Sequence, residues 1–174
     1  FGPVFAGAVI LDKQSEIKLI KAGVKDSKKL TAKKRSLLIP VIQEVSNSWA
    51  IGQASAKEID LIGIRNATEQ AMLRAIQGLN FKPDLLLVDG CLPLRLWQGA
   101  QKTYIKGEDK FTAIAAASVL AKVARDELII RLAKKYPDYG LETNVGYGTA
   151  FHRDALSKGG PSKLHRTTFL SKIK

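Results

Sequence analysis

The run Leu85-Leu86-Leu87-Val88, entered through Pro83 and closed by Asp89-Gly90, constrains the fold more than any other segment. An unbroken apolar strand has no polar face to leave in water, so it predicts a central strand covered on both sides. The cover must come from helices, and two long segments can supply it. Ser55-Ala56-Lys57-Glu58 has capping-box spacing and opens a helix whose apolar positions are Ile59, Ile62, Ala67, Ala71, Leu73 and Ile76, ending at Gly78. The second runs from Phe111 to Tyr136, where Ala113, Ala115, Ala116 and Ala117 permit close approach to a sheet, and Pro137 and Gly140 end it.

The remaining elements follow from the same signals. Val4 to Leu11 predicts a buried strand, with a polar turn at 12–15 and a short paired strand at Ile17–Ile20. Thr31 is the expected N-cap of a helix through KKRSLLIPVIQEV, kinked or broken at Pro40. Strands are expected at Trp49–Ala54 and Thr103–Ile105, a glycine-rich loop at 145–149, and a short helix around Ala150–Leu156. Strands first, then strands alternating with helices, predict an α/β chain with a mixed sheet and helices on its faces.

At 174 residues the chain is one domain by size. No apolar run approaches the roughly 20 residues of a membrane span, and the opening FGPVFAGAVIL lacks the basic flank of a signal peptide. Cys91 is the only cysteine, which excludes an internal disulfide and a cysteine-based zinc site and fits a cytoplasmic location. Lys and Arg number 28 against 16 Asp and Glu, a net charge of +12. Lys21, Lys25, Lys28, Lys29, Lys33, Lys34 and Arg35 form one basic cluster, and Lys158, Lys163, Arg166, Lys172 and Lys174 another. Clustered charge of this sign points to a polyanion, nucleic acid being the commonest; the competing account is a solvated surface kept for solubility.

Against that basic background, acids at strand ends stand out. Asp89 closes the apolar strand, where ligands bind in open α/β sheets; Glu108 and Asp109 follow another strand through Lys106-Gly107. Hard carboxylate oxygens gathered there suit Mg²⁺ or Mn²⁺. Such ions lower the pKa of a water and stabilise the leaving oxygen of a phosphodiester. Asp89-Gly90 alone is equally a turn dipeptide. The sequence has no P-loop, dinucleotide glycine fingerprint or GxSxG motif, and His152 and His165 lack zinc spacing.

The segments GVKDSKKLT (23–31), ASAKEIDLIGIRNATEQAMLRAI (54–76), LLLVDG (85–90), IKG (105–107), IAAASVLAKVARD (114–126), GYGTAFH (146–152) and PSKLHRTTF (161–169) occur in this order. Together they resemble the bacterial ribonuclease HII family over nearly the whole chain. The sibling type HIII is similar in DSKKL and the alanine-rich helix and poorer at the GYGT and HRTTF ends. The resemblance implies an RNase H-like fold in one domain: a core over 1–136, with a mixed central sheet flanked by helices, and a C-terminal helical extension over 137–174 that contacts substrate.

It also implies the chemistry. Asp89 and Glu108 would be catalytic carboxylates, and Asp89, Glu108 and Asp109 the candidate metal ligands. Glutamate at 108 departs from the family's Lys-Gly-Asp, so Asp109 is the alternative fourth acid. Asp126 is expected to be a structural acid of the helix end. Two further carboxylates belong to an Asp-Glu-x-Gly-Arg-Gly motif directly ahead of the Gly2-Pro3-Val4 segment, and a polypeptide without them is expected to fold and bind better than it cuts. Tyr147, with Gly146 beside it, would test the ribose 2′-hydroxyl, the group that separates RNA from DNA. Ser27, Lys28, Lys29 and Arg166 would hold phosphates, which position a duplex without reading its sequence. Lys33 and Lys34 are expected on a solvated helix face. The implied activity is metal-assisted endonucleolytic cleavage of the RNA strand of RNA–DNA hybrids, or at a ribonucleotide within duplex DNA, leaving 5′-phosphate and 3′-hydroxyl ends. A monomer acting without a membrane or a visible clamp-binding peptide is expected. The competing readings are a non-catalytic hybrid-binding module and a basic structural RNA-binding protein.

Overall fold

The computed structural model describes residues 1–24 and 30–170. β1 (Val4–Ile10) pairs antiparallel with β2 (Ser48–Ala54), from Val4↔Ala54 to Ile10↔Ser48. Between them come α1 (Lys13–Lys21) and α2 (Ala32–Val45); α3 (Ala56–Gln77) follows β2. β3 (Leu86–Asp89) and β4 (Gln101–Tyr104) then pair in parallel, Asp89 opposite Tyr104. A 3-10 turn at Gly107–Asp109 leads into α4 (Thr112–Ala133). A second 3-10 turn at Pro137–Tyr139, α5 (Leu141–Asn144), α6 (Ala150–Gly159) and α7 (Thr167–Leu170) complete the described residues.

Two glycines explain how the helices cover the first strand pair. A Cβ on Gly7 would lie 2.3 Å from the Ala117 carbonyl oxygen of α4, and one on Gly52 would lie 2.0 Å from the Ala71 carbonyl oxygen of α3. Ala6 rather than Gly7 is the register partner of Gly52, so these two glycines face opposite sides of the pleat. α3 and α4 therefore press on opposite faces, each at backbone distance. The alanines of α4 serve the same end: Ala115, Ala116, Val119, Leu120 and Val123 are buried against Leu19, Val24, Leu38 and Ile42.

The mixed strand directions are present, but they form two ladders rather than one continuous sheet. Among the described residues β1 and β3 share no backbone ladder. The groove between them, 790 Å³ in volume, is walled by both strands and floored by Ala113, Ala117 and Ala121 of α4, with Asp89 at its rim.

Three local expectations change. Ile17–Ile20 is helical, not a strand. Asp12 caps α1 through Ser15 N–H at 2.8 Å, and the same aspartate is braced by Asn47. Leu19 is buried while Ile17 and Ile20 are exposed, so helical period overrides the short apolar run. α2 runs through Pro40 as one helix; Pro40 and Ser36 are both exposed, so the Ser36 carbonyl that loses its donor faces solvent. α3, expected to be regular, is interrupted at Gly63, whose φ of 79° and ψ of 155° are open to glycine almost alone.

Candidate active site and nucleic-acid face

Parallel pairing sets the acid edge. Because β3 and β4 run the same way, their C-terminal ends emerge side by side, and Gly90 N–H donates to Tyr104 O at 2.9 Å to close the ladder. Gly90 has φ 135°, which lets the chain leave the strand there. After β4 the chain reverses at Lys106, itself left-handed at φ 56°, and enters the Gly107–Asp109 turn. Gly107 N–H donates to Asp89 Oδ1 at 2.8 Å. A Cβ on Gly107 would meet Ile114 Cδ1 at 2.6 Å, so a larger residue here would require the Ile114 side chain of α4 to shift.

This turn separates the two candidate fourth acids. Glu108 is directed into the protein, 4% exposed, whereas Asp109 is exposed, as is Asp89. The edge thus presents an exposed aspartate on one strand end and a buried glutamate on the neighbouring turn. These are oxygen donors of the kind hard divalent cations take. Among the described residues no group of three or more His, Cys, Asp or Glu is arranged to hold a metal.

The second candidate region is the loop after α5. Val145 and Gly146 both have positive φ, 41° and 80°. The loop is held by Gly146 N–H to Asn144 Oδ1 at 2.8 Å, Tyr147 N–H to Asn144 O at 2.9 Å, and Arg153 Nη1 to Gly148 O at 2.6 Å. Gly146 is buried and Tyr147 is 54% exposed, its ring bracketed by Lys122 Nζ at 5.4 Å and the Arg125 guanidinium at 5.1 Å. Asp126 accepts from Lys122 at 2.6 and 2.8 Å and faces Arg125 at 3.4 Å; it lies within α4, seven residues short of its last residue, and not at the helix end where it was expected.

Arg166 stands differently from its expected phosphate role. It is half-buried, donating from Nε to Gly2 O at 2.9 Å and from Nη2 to Pro3 O at 3.2 Å. Burial first, and then the Arg125 charge, lower its pKa. Next to it, Thr167 and Thr168 give four hydrogen bonds to the Asp60 carboxylate, which fix α7 against α3. Burial works against that carboxylate, but the four donors outweigh it and hold its pKa near 2. Lys33 and Lys34 are exposed on α2 as expected. Ser27, Lys28 and Lys29 lie outside the described residues.

Sequence reasoning missed Lys122 and Arg125. The available signal was their i, i+3 spacing on one face of α4 just ahead of Asp126, but nothing local shows that a loop twenty residues later folds onto that face. It also treated the two histidines as unrelated. His152 Nε2 and His165 Nε2 are 3.1 Å apart in the core, and His165 Nδ1 accepts Ser162 N–H at 2.9 Å. That backbone donor fixes the tautomer: neutral His165 carries its hydrogen on Nε2 and donates to His152.

A family model described as Ribonuclease HII matches residues 1–172. A Ribonuclease HII of Prochlorococcus marinus is 70% identical over 173 residues, covering 99% of this chain and 91% of that protein. One from a Synechococcus species is 57% identical over the same length, covering 99% and 89%. Among solved structures, the ribonuclease H2 of Pyrococcus horikoshii is similar with a TM-score of 0.84 and 26% identity, over 99% of this chain and 90% of that one. An Archaeoglobus fulgidus structure, of a PCNA:RNase HII complex, is similar with a TM-score of 0.77 and 25% identity, over 98% and 88%. An RNase HIII solved with Mn²⁺ shares the fold at TM-score 0.70 and 17% identity, over 92% and 58%.

Proposed function

The chain belongs to the ribonuclease HII family, and from that membership we propose how its residues divide the work of an endoribonuclease acting on RNA–DNA hybrids. The reaction is hydrolysis of an RNA phosphodiester, and the family depends on divalent metal ions. We infer Mg²⁺ or Mn²⁺ as the ion, 5′-phosphate and 3′-hydroxyl ends as products, and single ribonucleotides in duplex DNA as substrates besides longer hybrids. The observation that carries the assignment is the Asp89–Gly107 hydrogen bond, which joins the two acidic strand ends into one edge.

Asp89 and Glu108 are the ligands of that edge. The ion, when bound, supplies a water of lowered pKa and offsets charge on the leaving oxygen. Asp89 is exposed and can meet both the ion and the scissile phosphate; one of its oxygens is already oriented by Gly107 N–H. Glu108 reaches the edge from its buried side with a longer arm than aspartate, and its burial favours it over exposed Asp109 as the fourth acid. The groove between β1 and β3 has strand edges on both sides and Asp89 at its rim.

Tyr147 is the reader of the sugar. Its exposed ring, followed by the exposed Gly148 with nothing within 4 Å of a Cβ there, can lie against the ribose at the 2′ position. Ser27, Lys28, Lys29 and Arg166 act on phosphates, Arg166 through the segment it fastens as well as through its charge. No helix among the described residues is long and apolar enough to cross a membrane, and we propose a monomer acting in the cytoplasm, organised as a core over 1–136 and a substrate-contacting segment over 137–174.

The test is a labelled duplex carrying one ribonucleotide, incubated with the native protein and Mg²⁺ or Mn²⁺. The account expects a nick at the ribonucleotide with the stated ends and none in the all-DNA duplex; equal cutting of both would refute it.

A further inference from the structure

We propose that Arg125 is a positioning residue for discrimination between ribose and deoxyribose, acting through Tyr147. The inference rests on Tyr147 being the sugar reader and adds the residue that holds it in register. It starts from a backbone outlier. Val145 is β-branched and sits at φ 41°, ψ 37°, a left-handed conformation that such residues rarely adopt. A conformation of that kind persists only where its surroundings over-determine it. Here the surroundings are identifiable: Arg125 Nη1 donates to the Val145 carbonyl at 3.1 Å, two residues before the ring that the same guanidinium faces at 5.1 Å.

One planar group therefore grips both the strained peptide and the recognition ring. Its own orientation is held by Asp126, and its Nη2 would lie 3.5 Å from a Cβ on Gly146, so it also lines the bare glycine. The Arg125 side chain is 14% exposed, against 34% for Lys122. Arg125 is covered by the loop it fastens, so its influence on substrate passes through Tyr147. A lysine cannot reproduce the grip, because an ammonium is a point charge whereas the guanidinium is a flat fork that donates and stacks together.

A loop staple with no role in recognition would show itself differently from a positioning residue. Losing a staple changes stability, and losing a phosphate contact weakens all duplexes alike. Losing Tyr147's register changes only the preference for the ribonucleotide. The experiment is competition anisotropy in Ca²⁺, comparing a duplex with one ribonucleotide and the identical all-DNA duplex, for the native protein, Y147A, R125M, R125K and the Y147A/R125M pair.

The expected result is a fall in preference of about tenfold in R125M, matching Y147A, with all-DNA affinity within about twofold of native and no further fall in the double variant. R125K, which keeps the charge and should keep the fold, is expected to lose severalfold. Should R125M fail to fold by circular dichroism, R125K carries the test alone. Native preference in R125K, or in folded R125M, while Y147A loses it, overturns the Arg125 role. Native preference in Y147A overturns the reading of Tyr147 itself and the role of Arg125 with it.

Discussion

The acid edge and the tyrosine loop are built on opposite principles. The edge at Asp89 and Glu108 is a product of regular structure: two parallel strands end together, and one backbone N–H joins the strand end to the following turn. The loop at Val145–Gly148 owes little to regular structure. It depends on left-handed residues, a buried asparagine and an arginine from a helix remote in sequence. Metal ligands need fixed spacing, which strand ends give without further support. A surface that must accept a sugar needs an exposed ring, and exposing it means anchoring the backbone around it.

The largest effect that can break this comparison is at the edge itself. If burial selects the ligand, Glu108→Gln should lower kcat at least about 100-fold with little change in KM, while Asp109→Asn should stay within a few fold. The reverse order in single-turnover assays would move the fourth acid to Asp109 and leave Glu108 as a structural group. Smaller in effect, R125M and Y147A should change ribonucleotide preference without the collapse in kcat expected at the edge.

The weakest expected effect is on stability and belongs to the loop side. Burial lowers the pKa of His165 from 6.5 to about 4 and moves that of His152 the same way. The folded state therefore binds fewer protons than the unfolded state between those limits. Linkage then requires the pair's contribution to stability to fall as pH drops from about 6.5 toward 4. Asp12, Glu58 and Asp60, each held near 2 by hydrogen bonds, lose their contribution only at lower pH. Burial also lowers the Phe1 amine from 8.0 to about 5 and adds its own slope between those values, so from about 6.5 to 4 the histidines' share is the part of the slope that His165→Phe removes. Thermal unfolding scanned over pH should show a slope in this window that flattens in His165→Phe. An unchanged slope in that variant would remove the pair from the account.

The edge was legible in the sequence because its determinants are local. The apolar run at 86–88 is a strand as its pattern indicates, Asp89-Gly90 its end, and Lys106-Gly107-Glu108 the next turn. The cover expected on both sides is incomplete: Leu85 is exposed, Leu86 and Leu87 are partly buried beside the groove, and Val88 alone of the four is buried. The Ser55–Glu58 capping box was equally direct and is present in full, Ser55 to Glu58 and back. The loop was legible only as glycines around a tyrosine. Neither Arg125 under Val145 nor His165 against His152 follows from spacing, because each joins elements through tertiary packing. Ile17–Ile20 was misread for the opposite reason: the polar residues at 12–15 read as a turn, whereas Asp12 is the N-cap of α1. The divided sheet reflects the lack of a backbone ladder between β1 and β3 among the described residues, which no local pattern reports.

The most direct test of the central claim is Asp89→Asn in the native protein, measured for both cleavage and binding of a single-ribonucleotide duplex. Asparagine keeps an oxygen that can accept the Gly107 N–H bond and removes the charge the cation requires. The account predicts loss of cleavage by at least about 100-fold with duplex affinity nearly unchanged. Cleavage at the native rate by Asp89→Asn would contradict it.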